Sequence, residues 1–167
     1  MIFGSKKNQS LTEDISKATR ETLAMVQNQH GVPSGFWQDS YVLGYMMGQI
    51  NAFMSVFGGD GLSIADKGRV VVECFGELSG MKGKGISEQS MVFASSEDPD
   101  FMRANQNGMF IAMVQSEKLP DAANNPVIAA TRSHLDAAGE GTSMKDVAKF
   151  LSQQHWVGEV KSRLSVG

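Results

Sequence analysis

One segment of the chain, residues 35–59, is apolar over an unusual length: GFWQDSYVLGYMMGQINAFMSVFGG. About 20 apolar residues suffice to span a bilayer as a helix, and Gly44 and Gly48 have the small-residue spacing of membrane helix pairs. Polar residues interrupt the segment, namely Gln38, Asp39, Gln49 and Asn51. Because an ionised aspartate in hydrocarbon is costly, we predict no membrane insertion. We predict instead a central buried helix near residues 35–57, whose glycines let a neighbouring helix approach closely.

Helix-start signals recur through the rest of the sequence. Capping boxes, in which a serine and an acid satisfy free backbone N–H groups, begin at Ser10, Ser63 and Ser143. A cap followed by a first-turn proline occurs at Asp98-Pro99 and Asn125-Pro126. No alternating apolar run of useful length is present, so the sequence does not predict a sheet.

These signals predict an all-α fold. We expect one domain over residues 1–167, built as a bundle of about six or seven helices. Residues 1–9 precede the Ser10 capping box, and we expect them to form a flexible N-terminal segment.

Charge and cysteine content exclude several classes of protein. The net charge is −3, which argues against nucleic-acid binding, since that function needs a concentrated basic face. The single cysteine, Cys74, allows no intrachain disulfide and no thiolate metal cluster. The N-terminal residues lack the long apolar core of a signal peptide, so we expect a cytoplasmic protein.

The glycine-rich stretch GGDGLSIAD, residues 58–66, fails the common loop motifs. An EF-hand loop beginning at Asp60 would need a glutamate at its twelfth position, where Val71 stands, and oxygen ligands where Leu62 and Ile64 stand. A phosphate-binding loop would need a Gly-Lys-Ser/Thr ending, which is missing. The residues favour a turn followed by a helix capped by Ser63.

The longer run FGGDGLSIADKGRVVVECFGEL, residues 57–78, resembles the helix–turn–helix element of the TerB-like (tellurite-resistance) helical proteins. Asp60-Gly61 matches the turn of that family, and Ser63 and Asp66 resemble its helix cap and first-turn acid. Here Gly59 replaces the alanine of the family pattern, and the cap comes one residue early. The resemblance implies a divalent-cation site at Asp60 and Asp66, and hence a cation-responsive stress protein.

The sequence contains no catalytic motif. His30, His134 and His155 are widely separated, with no metal-binding spacing. The run Ser133-His134-Leu135-Asp136 contains the three residue types of a hydrolase triad. Adjacent helical residues point about 100° apart, however, so Ser133 and His134 cannot face each other as nucleophile and base. We therefore predict no catalytic residues and no cofactor other than the possible divalent cation. An enzyme whose site is assembled only in three dimensions is a further alternative.

The chain is rich in methionine, with eleven residues. Methionine fills irregular cores and also forms adaptable binding surfaces. The preferred hypothesis is a non-catalytic adaptor or regulatory protein that binds a protein partner or forms a homo-oligomer through a methionine and aromatic groove. The candidate interaction residues are Trp37, Met46, Met54, Met109, Met113 and Trp156.

Overall fold

The computed structural model describes residues 6–164, with side chains from Asn8 onward. The α-helices are α1 (Lys6–Ala24), α2 (Ser40–Val56), α3 (Ile64–Ser79), α4 (Gly83–Ser95), α5 (Pro99–Gln115), α6 (Pro126–Ala137), α7 (Met144–Ser152) and α8 (Gly158–Arg163). Short 3₁₀ turns lie at Phe36–Gln38, Gly59–Gly61 and Ala122–Asn124. A π-helical turn, Gln153–Val157, joins α7 directly to α8. Counted this way, residues 6–164 contain seven continuous helices and no strand, which confirms the predicted all-α bundle.

The predicted caps are present at the starts of four helices. The Ser63 side chain accepts a hydrogen bond from the backbone N–H of Asp66 at 3.1 Å. Asp98 and Asn125 cap α5 and α6 ahead of the expected prolines. Ser143 and Asp146 form a complete capping box at α7. These starts are determined locally, because the cap and the N–H groups that it satisfies lie within one turn.

The predicted start of α1 is wrong. The helix begins at Lys6 rather than at Ser10, so residues 6–9 of the segment predicted to be flexible are helical, and residues 1–5 lie outside the described residues. The reason is tertiary contact with α3, since Asn8 is buried and its side-chain amide donates to Asp66 at 3.4 Å. Packing against α3 extends the helix beyond its local start signal.

The predicted central helix is confirmed as α2, and its closest neighbour is α5. A Cβ atom added at Gly44 would collide with the backbone of Phe101, and one added at Gly48 would collide with the backbone of Asn105. Gly108 of α5 approaches the backbone of Tyr45 equally closely. Because residue numbers increase in the same direction along both faces, α2 and α5 run parallel. Only glycine permits backbones to approach so closely.

The parallel arrangement places the N-termini of α2 and α5 side by side, where Arg163 of α8 joins them. Asp39 caps α2 by accepting from the N–H of Val42 at 3.1 Å. The Arg163 Nε donates to Asp39 at 3.1 Å, and its Nη1 donates to Asp100 of α5 at 2.7 Å. One side chain therefore ties α8 to the first turns of both central helices.

A second arginine reinforces this attachment. Arg103 of α5 pairs with Glu159 of α8 at 2.8 Å. The guanidinium carbons of Arg103 and Arg163 lie 4.9 and 5.8 Å from the centre of the Tyr41 ring. The Tyr41 hydroxyl in turn donates to the backbone carbonyl of His155 in the π turn. Ion pairs and cation–π contacts thus hold α8 in a single position.

None of the helices within residues 6–164 combines the length and the apolar character needed to cross a membrane.

We expect Gly108→Ala to lower the free energy of unfolding by about 3 kcal/mol, because the new methyl group would force α2 and α5 apart. Chemical denaturation of the purified variant measures this loss. The matched control is Gly68→Ala on α3, where nothing lies within 4 Å of an added Cβ atom. That change should stabilise the protein by about 0.5–1 kcal/mol through helix propensity. Equal changes in the free energy of unfolding for Gly108→Ala and Gly68→Ala would contradict the close packing of α2 against α5 at Gly108.

We expect Arg163→Met to lower the free energy of unfolding near neutral pH by about 1–2 kcal/mol. Arg163 and then Arg103 hold the pKa of Asp100 below its ordinary value of 3.8. A lowered carboxyl pKa contributes stability above the ordinary pKa and loses it as the pH falls through the folded-state value. The difference in the free energy of unfolding between wild type and Arg163→Met should therefore become smaller below about pH 4. Lys84→Met removes an exposed ion pair with Glu88. Its free energy of unfolding should not differ from that of wild type by a comparable amount at any pH.

Candidate functional site

An apolar groove opens at the end of the bundle opposite the arginine contacts. It lies between α1, the C-terminal ends of α2 and α5, and α7, with a volume of about 510 Å³. We call it the α7 groove. Its apolar walls are Ala18, Met25, Phe53, Val56, Phe57 and Ala148. Since α2 and α5 are parallel, they end side by side, and their last turns leave this surface uncovered.

Phe53 and Phe57 form the main wall of the α7 groove. Phe53 lies in the last turn of α2 and Phe57 directly follows that helix. Their rings stack with centroids 5.8 Å apart. Phe53 is buried, whereas Phe57 keeps 42% of its surface exposed. A large exposed aromatic side chain at the mouth of a concave apolar surface is typical of a binding site.

The inner end of the groove is polar. Thr22 of α1 and Ser152 of α7 line it, and both are buried. Gln49 lies one helical turn before Phe53 on α2, is fully buried, and does not itself line the groove. It donates its amide N–H to the Thr22 hydroxyl at 2.8 Å. Within the described chain, the Gln49 side-chain carbonyl has no hydrogen-bond partner. We call Thr22, Gln49 and Ser152 the polar floor.

Trp156 fixes the polar floor from below. Its indole N–H donates to the backbone carbonyl of Thr22 at 2.9 Å, and its ring stacks on Tyr45 with centroids 4.6 Å apart. Burial raises the pKa of Tyr45, although the neighbouring Ser152 hydroxyl acts in the opposite direction. Trp156 lies in the π turn, whose wider winding changes the direction of the side chains that follow α7. The polar floor is therefore held by α1, α2 and the π turn together.

The rim of the α7 groove carries an excess of positive charge. Lys145 and Lys149, one turn apart on α7, line the groove and are exposed. Neither lysine forms an ion pair with any residue in the described range. The one acid on the rim, Glu21, accepts a hydrogen bond from Gln115 at 2.7 Å. The two lysines are thus available to an acidic occupant.

The predicted interaction residues do not form one surface. Met46, Met54 and Trp156 are in the core, with exposed fractions of 0%, 4% and 0%. Trp37 is partly buried and packs edge-on against Phe36 and Phe75.

Burial therefore removes Met46, Met54 and Trp156 from any interaction surface. Met109 is 43% exposed and Met113 partly buried, both on α5, and none of the six lines the α7 groove. The sequence signals that mark the groove are Phe53 and Phe57 at the end of the apolar segment.

The two aspartates of the TerB-like turn each contact neighbouring side chains. The Ser55 hydroxyl donates to Asp60 at 2.7 Å, and the Ser63 hydroxyl donates to Asp66 at 2.7 Å. Arg69 lies 3.4 Å from the Asp66 carboxylate, and its positive charge opposes a cation there. The part of the chain that the structure describes contains no group of three or more His, Cys, Asp or Glu side chains placed to hold a metal ion. A cation site at Asp60 and Asp66 stays a prediction.

The remaining reactive side chains lie apart from the α7 groove. Cys74 is buried, and burial raises the pKa of its thiol to about 12, so the unreactive thiol form persists at neutral pH. His134 packs against Phe150 with ring centroids 5.0 Å apart. The His30 ring forms a hydrogen bond with the side chain of its neighbour Gln29 at 3.2 Å.

Comparison of the chain with protein-family models, with curated proteins and with solved structures gave no match. The resemblance to the TerB-like proteins stays a prediction, and the geometry of the groove is the basis for the functional argument.

We expect Gln49→Met to leave the free energy of unfolding within about 1 kcal/mol of wild type. The lost hydrogen bond to Thr22 is offset because the buried, unpartnered carbonyl oxygen, whose burial costs about 1–3 kcal/mol, is also removed. Gln49→Ala, which leaves a cavity, should instead cost about 2–4 kcal/mol. Denaturation curves for both variants test this. A loss in Gln49→Met as large as that in Gln49→Ala would show that the carbonyl is satisfied in solution.

Proposed function

We propose that this chain is a cytoplasmic, non-catalytic adaptor that binds an amphipathic helix of a protein partner in the α7 groove, with acidic residues of that helix facing α7. The observation that carries the proposal is the combination of an uncovered apolar groove and two unpaired lysines on its rim. The proposal keeps the expected mode of action, protein contact, but assigns it to residues other than the methionines and tryptophans.

The shape of the groove favours a helix as its occupant. Its walls are helices, and Phe57 is exposed along the edge of a space of about 510 Å³. Amphipathic helices bind such grooves by inserting apolar side chains at i, i+4 and i+7. A volume of this size accommodates the few large anchors that one face of a short helix presents.

The charges of the groove favour an acidic occupant. Lys145 and Lys149 stand on one side, whereas Glu21 on the opposite side is already bound by Gln115. The chain as a whole is acidic, at −3, whereas the groove is lined by two lysines and one acid. Complementary charge at a rim steers association and sets the orientation of the partner.

The side chains of the groove favour binding over catalysis. Among the described residues its walls contain no histidine and no cysteine, and Glu21 is the only carboxylate. A hydrolytic or acid–base reaction needs a nucleophile beside a base, or paired acids. An apolar concavity with charged edges is the arrangement of a recognition surface.

A phage-displayed library of amphipathic helical peptides, selected against the 167-residue chain, tests the proposal. We expect selected peptides to carry apolar anchors on one face and acidic residues beside them. The double variant Lys145→Glu/Lys149→Glu should bind these peptides at least about tenfold more weakly, since two attractive contacts become repulsive. Fluorescence anisotropy with labelled peptides measures the change.

The matched control is Lys161→Glu, an exposed lysine of α8 that does not line the groove. Affinity should be unchanged in this variant. Phe57→Ala should weaken binding about tenfold through lost apolar contact. Selection of no peptide, or an equal loss in Lys161→Glu and the α7 double variant, would overturn the proposal.

A further inference from the structure

The two sides of the α7 groove carry opposite charges. Lys145 and Lys149 lie on the α7 side, whereas Glu21 lies on the α1 side and is the only carboxylate among the described residues that line the groove. All three side chains are exposed. A helix in the groove is therefore beside two positive charges on one side and one negative charge on the other.

The negative charge of Glu21 is held in place but is not paired with a positive side chain. The Glu21 Oε2 accepts a hydrogen bond from the Gln115 amide at 2.7 Å, and an amide is neutral. Lys17, one turn earlier on α1, does not line the groove. Within residues 8–164 Glu21 forms no ion pair. The contact with α5 thus keeps an unpaired carboxylate at the rim.

Opposite charges on the two sides distinguish the two directions in which a helix can lie. A helix that inserts its apolar face has one flank toward α1 and the other toward α7. Turning it end for end, with the apolar face still inserted, exchanges the two flanks. A helix whose flanks differ in charge therefore matches both sides of this groove in one direction only.

We infer that Glu21 is a specificity-determining residue, which selects a helix with lysine or arginine on the flank opposite its acidic residues and so fixes the direction of binding. This inference rests on the proposed function and adds to it the basic flank and the direction. In the reversed direction the acids would lie beside Glu21 and the basic residue beside Lys145 and Lys149. Attractive contacts would then become repulsive on both sides.

Other charge patterns match the groove less completely. A helix with acids on both flanks places one row of them beside Glu21, where like charges repel. A helix with one neutral flank gains nothing from Glu21. A helix with opposite charges on its two flanks is attracted to both sides of the groove at once.

The first test is the charge pattern of peptides selected against the 167-residue chain. We expect acids on one flank of the apolar anchors and lysine or arginine on the other. Replacing that basic residue by glutamate should weaken binding to wild type about fivefold. Against Glu21→Lys the glutamate peptide should bind more tightly than the original. Glu21→Gln keeps an acceptor for Gln115 but removes the charge, so it should lose most of the preference, which also tests the inference if Glu21→Lys does not fold.

Paramagnetic relaxation enhancement measures the direction of binding. A nitroxide at the N-terminus of a selected peptide should broaden amide signals at one end of the groove, and a nitroxide at the C-terminus those at the other. Ala18 and Met25 both line the groove on α1 and lie about 10 Å apart along the helix, so their amide signals distinguish the two ends. We expect the direction that places the acidic flank toward α7.

The matched control is Glu13→Lys, which changes an exposed acid of α1 that does not line the groove. The preference for the basic flank should be intact in this variant. Selected peptides with acids on both flanks, or a preference that persists undiminished in Glu21→Gln, would overturn the inference. In these two cases the proposed function stands if binding still depends on Lys145 and Lys149. Failure to select any peptide, or binding with the acidic flank toward α1, overturns both.

Discussion

The contact between α2 and α5 is the constraint on which the rest of the structure depends. Gly44 and Gly48 on one helix and Gly108 on the other let two backbones approach closely enough that any Cβ atom would collide. The two helices are parallel, so their N-termini share one end of the bundle and their C-termini share the other. The arginine contacts join the two N-termini to α8. The α7 groove opens beside the two C-termini.

Parallel helices place like dipole ends together, which is unfavourable unless neighbouring charges compensate. At the N-terminal end, Asp39 and Asp100 supply negative charge, and Arg163 then bridges the two carboxylates. At the C-terminal end, no ion pair among the described residues bridges the two helices in the same way. The last turns end beside Lys145 and Lys149 of α7, which surround an open apolar surface. The same topology that stabilises one end leaves the other available for binding.

The polar floor departs from the rule that buried polar groups are paired. A protein selected only for stability would gain from an apolar residue in place of Gln49, since its carbonyl oxygen is desolvated without compensation. Trp156 and Thr22 hold the surrounding backbone in place. Local violations of packing rules concentrate at functional sites, and this one is hydrogen-bonded to Thr22, which lines the groove that we propose as the docking surface.

The sequence by itself determined the all-α class, the helix starts at Ser63, Asp98, Asn125 and Ser143, and the central helix with its close-approach glycines. Caps and glycine spacings act over one or two turns, so the local sequence specifies them. Tertiary structure alone decided the N-terminal extension of α1, the burial of three of the six predicted interaction residues, and the groove itself. A methionine on an apolar helix has the same sequence signature whether it faces the core or the solvent. A groove made from the ends of four helices has no signature in any one of them, because it exists only where those helices meet.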